Sequence, residues 1–76
     1  MDVNFYLYFP SRTVADLAAA ELEEEGFIVV TRDEPEEGWL AVAGRDVSDD
    51  ALEITEKRLR QVAESHGGTY EGFKGD

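Results

Sequence analysis

A seven-residue run of aromatic and aliphatic side chains constrains the fold more than any other part of the sequence. The run spans Val3–Phe9 and stops at Pro10. Branched and aromatic side chains suit a half-buried pleated surface, and residues two apart share one face of a strand. One face is apolar and the other is aromatic with polar tips: Val3, Phe5, Leu7 and Phe9 against Asn4, Tyr6 and Tyr8. This pattern predicts a central strand that helices cover on its apolar side.

The next elements are a helix and a hairpin. A Ser11 or Thr13 cap begins the helix, and Gly26 ends it. Helical spacing predicts an apolar stripe made of Val14, Leu17, Ala18 and Leu22. Two strands follow, Phe27–Thr31 and Trp39–Ala43, and the polar segment Asp33–Gly38 is predicted to be the loop between them.

A second helix and a last strand complete the chain. Ser48 caps the helix, and Gly67-Gly68 ends it. Its predicted core face is Leu52, Thr55, Leu59, Val62, Ala63 and His66, with Ile54 well off that face. The strand Thr69–Phe73 contains Gly72, which predicts a β-bulge. We expect residues 73–76 to fray.

The element order β-α-β-β-α-β predicts an α+β, ferredoxin-like sandwich. In that fold a four-stranded antiparallel sheet carries both helices on one face, and the first strand is central. With 76 residues, the chain is expected to form a single domain over residues 1–76.

Composition limits the classes of partner. The chain has 18 acidic and 7 basic residues, a net charge of −11. Such a charge repels nucleic acid and anionic lipid and attracts basic surfaces, although solubility alone is also a sufficient reason for it. There is neither a membrane-length apolar run nor a signal peptide pattern. We expect a cytoplasmic protein that binds no membrane and no nucleic acid directly.

The sequence shows no pattern typical of catalysis. It has no Cys and one His, so paired metal motifs are missing, and no Ser or Thr stands in a recognisable trio with a base and an acid. His66 lies at a helix end, where the macrodipole stabilises a cation, and this favours a structural role. We predict that the protein is not an enzyme and that it uses no cofactor and no metal.

Aromatic residues mark the uncovered sheet face as a candidate site. Tyr6, Tyr8 and Trp39 are predicted to project from this face. They could cover their own sheet, pack against another subunit or protein, or stack RNA bases as in RNA-recognition domains. The negative charge argues against RNA.

Two acidic clusters are candidate contacts for a basic protein surface. The first, at the end of the first helix, opposes the macrodipole, and local conflicts of this kind tend to occur at functional sites. The second lies in the hairpin loop. The clusters are Glu21, Glu23, Glu24 and Glu25, and Asp33, Glu34, Glu36 and Glu37.

Three segments together resemble one family. They are the aromatic strand ending in proline, Val3–Pro10; the helix-to-strand junction, Leu22–Phe27; and the Gly-Gly-x-Tyr-acid-Gly-aromatic ending within His66–Phe73. They resemble the domain of the regulator of ribonuclease activity B (RraB) family, and Trp39 also fits. Glu71 and Phe73 stand where the family usually shows Asp and Trp.

The resemblance implies a ferredoxin-like, cytoplasmic bacterial protein without catalytic residues. It further implies binding to ribonuclease E, through the arginine-rich scaffold region of that enzyme, and inhibition of RNA turnover. The residues alone leave a different class of function open. The same fold hosts small-ligand sensors that dimerise through the open sheet face, and a homodimer is therefore an alternative.

Overall fold

The chain folds into one sheet with two helices packed on one side. The computed structural model describes residues 1–75. The elements are β1 (Asp2–Phe9), α1 (Arg12–Glu24), β2 (Ile28–Glu34), β3 (Gly38–Asp46), α2 (Asp49–Ser65) and β4 (Thr69–Gly75). The strand order is β2-β3-β1-β4, and every neighbouring pair is antiparallel. The predicted ferredoxin-like α+β fold is confirmed.

The central strand β1 supplies the middle of the core, as its pattern predicts. Val3, Phe5, Leu7 and Phe9 are all at most 2% exposed. The Phe5 ring meets Phe27 edge-on, with a centroid separation of 6.1 Å. Buried residues from both helices join the same cluster, including Ala18, Leu22, Leu59 and Val62. The helices therefore cover the face that carries the phenylalanines.

Helix α1 is rotated from its predicted orientation. Ser11 is the N-cap, and its hydroxyl accepts a hydrogen bond from the Val14 amide at 3.3 Å. The buried residues are Ala15, Ala18, Ala19 and Leu22. Leu17 is 58% exposed, so its prediction as a core residue is wrong. Small alanine side chains allow the helix to lie close to the sheet, and the larger Leu17 is left outside.

The hairpin loop is shorter than predicted. Asp33 pairs with Trp39 and Glu34 pairs with Gly38, so both acidic residues belong to β2. Only the segment 35–37 forms the turn. The prediction that the loop begins at Asp33 is wrong, because backbone pairing continues through Asp33 and Glu34 despite their polar side chains.

Helix α2 presents the predicted face to the core. Thr55, Leu59, Val62 and Ala63 are its buried residues, and Leu52 and His66 are half-buried. Ile54 is 73% exposed, as its position off the stripe predicts. Ser48 occupies the N-cap, but its side chain makes no capping hydrogen bond.

Strand β4 contains the predicted bulge. Its register against β1 shifts between Tyr6 and Leu7, where Gly72 has a φ of +120°. The bulge places Tyr70 opposite Leu7 and Phe73 opposite Phe5, so both rings lie on the core side. Residues 73–75 pair with β1, and fraying of residues 73–76 stays a prediction. Asp76 lies outside the described residues.

Candidate protein-binding surface

The strand register defines an open face on the side of the sheet away from the helices. Tyr6 pairs with Val42, and Tyr8 pairs with Leu40. Val30 is in turn the β2 partner of Val42. We define the open face as Asn4, Tyr6, Tyr8, Ile28, Val30, Arg32, Leu40 and Val42. Tyr6 and Tyr8 thus lie on the face that the sequence predicts for them.

The open face is mostly apolar and most accessible along β2, where Arg32 adds one exposed basic side chain. Ile28 is 78% exposed and Val30 is 62% exposed, whereas Leu40 is only 3% exposed. Tyr6 and Tyr8 are half-buried. Contiguous apolar surface of this kind is typical of a contact with another macromolecule.

Trp39 lies on the opposite side of the sheet. It pairs with Phe9, whose side chain is buried in the core, so Trp39 belongs to the helix side. Its half-buried ring packs against the core, and the Arg12 guanidinium carbon is 5.9 Å from the ring centroid. The prediction that Trp39 joins the open face is wrong. The small residues Ala41 and Ala43, which share its face, were the sequence signal for a surface under a helix.

The acidic end of α1 is partly neutralised by α2. The Arg58 Nε donates to Glu25 Oε1 at 3.0 Å, and its Nη2 donates to Glu21 Oε1 at 3.2 Å. His66 Nε2 lies 2.8 Å from Glu21 Oε2. Hydrogen bonding to Arg58 lowers the pKa of Glu25. The sequence analysis missed this network. It explains why Glu21 and Glu25 are tolerated at the end of α1, since Arg58 and His66 bind them.

Removing Arg58 should destabilise the fold, and the effect should depend on pH. We expect Arg58→Met to lower the free energy of unfolding by about 1 kcal/mol at neutral pH, because the pair is half-exposed. Since the Glu25 pKa is lowered in the folded state, its stabilisation is complete above the ordinary value of 4.5 and is lost as pH falls below it.

Urea unfolding of the native protein and Arg58→Met at several pH values measures this effect. The two stabilities should converge below a pH of about 4.5. Lys57→Met is the control, because Lys57 is an exposed neighbour that makes no ion pair within residues 1–75. A stability difference that is constant with pH would contradict a role for the Glu25 pair.

The eight candidate carboxylates do not form one surface. The helix-end cluster precedes the start of β2, and the hairpin cluster lies at the end of β2. Seven residues separate these ends, which corresponds to about 20 Å at the rise of a strand. At the helix end, Glu23 and Glu24 are exposed and make no ion pair with the rest of residues 1–75.

The hairpin cluster reaches the open face at Tyr8. Loss of hydration raises the pKa of the Tyr8 hydroxyl, and the carboxylates of Glu37, Glu34 and Glu71 raise it further. Arg32 donates to Glu34 at 3.0 Å. We define the acidic hairpin end as Asp33, Glu34, Glu36 and Glu37. Glu71, which the sequence analysis did not include, lies at the bulge in β4, on the other side of β1 from the hairpin.

Residues 1–75 contain neither of two common kinds of site, a metal centre or an enclosed pocket. No three His, Cys, Asp or Glu side chains of residues 1–75 are grouped to hold a metal ion. The same residues enclose no pocket. None of the helices in the described part of the chain is long and apolar enough to cross a membrane.

Comparison with known proteins adds a family to this geometry. The family model for the regulator of ribonuclease activity B, RraB, matches residues 1–74. The chain belongs to the RraB family. No curated protein and no solved structure matches it. RraB membership implies a regulator that acts on ribonuclease activity through a protein partner.

Proposed function

We propose that this RraB-family domain is a non-catalytic regulator that binds the arginine-rich scaffold region of ribonuclease E. The acidic hairpin end is the proposed contact. Binding to an enzyme of RNA turnover would place the domain in the cytoplasm. The proposal rests on one difference between the two acidic clusters. Basic side chains of the same chain neutralise more of the helix-end cluster than of the hairpin end.

At the helix end, Glu21 and Glu25 already bind Arg58 and His66. At the hairpin end, Arg32 is the single basic partner within residues 1–75, and it reaches only Glu34. Asp33, Glu36 and Glu37 are exposed. Arginine-rich segments are attracted to such a field, which raises the association rate and adds charge-assisted hydrogen bonds at the contact.

Neutralising the hairpin end should weaken binding more than neutralising the helix end. We expect Glu36→Gln/Glu37→Gln to raise the Kd for the arginine-rich segment about three- to tenfold, because each exposed pair contributes up to about 1 kcal/mol. Glu23→Gln/Glu24→Gln removes the same charge from exposed positions and should change Kd less than twofold, roughly the effect of a distant screened charge.

Fluorescence anisotropy with a labelled segment measures both pairs in parallel. Equal losses in the two double variants would show that net charge, and not the hairpin end, governs the affinity. A larger loss at the helix end would move the contact to Glu23 and Glu24. Thermal melts of each variant ensure that any loss of affinity is compared between folded proteins.

A second candidate function is self-association through the open face. The exposure of Ile28 and Val30 favours it, because apolar side chains on a sheet surface are commonly covered in an assembly. Sedimentation over a hundredfold range of protein concentration distinguishes the two functions. A constant monomer mass would contradict the dimer.

A further inference from the structure

The outer edge of β2 exposes backbone hydrogen-bonding groups. In an antiparallel strand these groups point alternately to the two sides, so only alternate residues of β2 can bond to β3. The Ile28 carbonyl oxygen lies 3.7 Å from the position that a Cβ atom on Gly44 would occupy, which requires this carbonyl to point toward β3. At the other end of β2, the Glu34 carbonyl accepts from the Glu37 amide across the turn at 2.9 Å. The residues whose backbone groups point outward are therefore Val29, Thr31 and Asp33.

These outward groups are unpaired within residues 1–75. No hydrogen bond in that part of the chain reaches the backbone of Val29, Thr31 or Asp33. All seven residues of β2 pair with β3 without a register shift. The opposite edge differs, because the bulge at Gly72 interrupts β4. A bulge protects an edge against further pairing, whereas a regular edge can accept another strand.

The side chains along the β2 edge change from apolar to acidic. Ile28 and Val30 are exposed at the start of the strand. Arg32 follows on the same face, but its Nε donates to Glu34 at 3.0 Å, and the two charges offset each other. The acidic excess at this end comes from three exposed residues, Asp33, Glu36 and Glu37. A strand that complements this edge is basic at one end and apolar at the other.

We propose that one extended stretch of the arginine-rich partner adds to β2 as a fifth strand of the sheet, an inference that rests on the proposed function. Antiparallel pairing is slightly more stable than parallel pairing, and in that direction the added strand passes the acidic end first. A basic residue opposite Asp33 is then followed, three and five positions later, by apolar residues opposite Val30 and Ile28. The edge therefore selects a segment with this spacing.

A second copy of the chain fits the same edge poorly. Symmetric antiparallel pairing of two whole β2 strands is centred on Thr31. It places Val30 opposite Arg32 and Ile28 opposite Glu34, so exposed apolar side chains meet charged ones instead of the complementary pairs that stabilise a sheet. It also brings together two chains of charge −11 each. A basic segment of another protein avoids both conflicts.

Amide hydrogen exchange of the native protein, alone and saturated with a synthetic arginine-rich scaffold segment of ribonuclease E, tests the proposal. In the free protein the amides of Val29, Thr31 and Asp33 should exchange faster than those of Val30 and Arg32, which bond to β3. Saturation with the segment should slow the exchange of the three outward amides by about tenfold or more, because each enters a new hydrogen bond.

Thr31→Pro removes the central outward amide. Proline is tolerated on an edge strand where the lost N–H faces outward, and a thermal melt checks that the variant folds. We expect Kd for the segment to rise by about tenfold or more, since the ring also blocks the added strand. Thr31→Ala is the matched control, because it keeps the amide and should change Kd less than about twofold. If Thr31→Pro does not fold, N-methylation of the segment at alternate residues tests the same bonds and should weaken binding with a period of two.

The outcomes separate this inference from the proposed function. Binding that leaves the exchange of all three outward amides unchanged would overturn the added strand and leave the proposed function standing, as would equal affinities of Thr31→Pro and Thr31→Ala. Absence of binding by the native protein would overturn both. Slow exchange of these amides in the free protein that becomes fast on dilution would assign the edge to a second copy.

Discussion

Phe5→Ala is expected to lower the free energy of unfolding by about 3–5 kcal/mol, the cost of removing a buried phenylalanine. Phe5 is fully buried at the centre of β1, between the rings of Phe27 and Phe73. A domain of 76 residues has a total stability of about 4–11 kcal/mol. The variant should therefore be largely unfolded at 37 °C or have a Tm lower by more than about 12 °C.

Phe73→Ala is the control for this prediction. It removes the same atoms from the sheet edge, where Phe73 is 41% exposed, and we expect about 1–2 kcal/mol for the smaller apolar area. Chemical denaturation followed by circular dichroism measures both variants. Similar losses for Phe5→Ala and Phe73→Ala would contradict the assignment of the core to the apolar face of β1.

Gly38→Ala is expected to be the most damaging of the glycine substitutions, at about 3–5 kcal/mol. Gly38 begins β3 with a φ of +107°, a conformation that costs other residues about 1–3 kcal/mol. A Cβ atom at Gly38 would also meet the backbone carbonyl of Phe9 well inside van der Waals contact. Overpacking of this kind adds about 1–3 kcal/mol.

Substitutions at two other glycines distinguish the backbone strain of a positive φ from the steric clash of an added Cβ atom. Gly26 has a φ of +98° but open space around its Cβ position, so Gly26→Ala carries the strain alone. Gly68 has no positive φ, but a Cβ there would meet the Tyr8 carbonyl and the Phe9 ring. We expect each single-cause variant to lose less stability than Gly38→Ala. If Gly26→Ala were as destabilising as Gly38→Ala, the close approach of Gly38 to β1 would be wrong.

The fold was predictable because its strongest pattern lies in one element. The alternation in Val3–Phe9 fixes which face of β1 is buried, and the β-α-β-β-α-β order then leaves one arrangement of the sheet. The bulge at Gly72 was also predictable, since Tyr70 and Phe73 differ in parity along a strand that has one buried side.

Orientation within the elements was harder to predict. Leu17 was predicted to lie on the buried stripe of α1 because it is hydrophobic. Close packing against the sheet instead buries the face that carries the alanines. Trp39 was placed by its aromatic character, although the register with Phe9 decides its side. In both cases the determining contact is with a residue remote in the sequence.

The candidate site shows the same limitation. The acids at the end of α1 seemed to conflict with the helix dipole, but Glu25 finds its partner, Arg58, 33 residues later in the chain. No local pattern signals that ion pair. The carboxylates of Glu37 and Glu71 likewise raise the pKa of Tyr8 from other parts of the sheet, the β2–β3 turn and strand β4.

The central claim is that the exposed acidic surface of this RraB-family domain binds the arginine-rich scaffold region of ribonuclease E. The most direct test is a titration of the native protein against that region at about 50 and 200 mM salt, where screening differs substantially. We predict a Kd in the micromolar range or below at the lower salt, and a much weaker interaction at the higher salt. No detectable binding at the lower salt would contradict the claim.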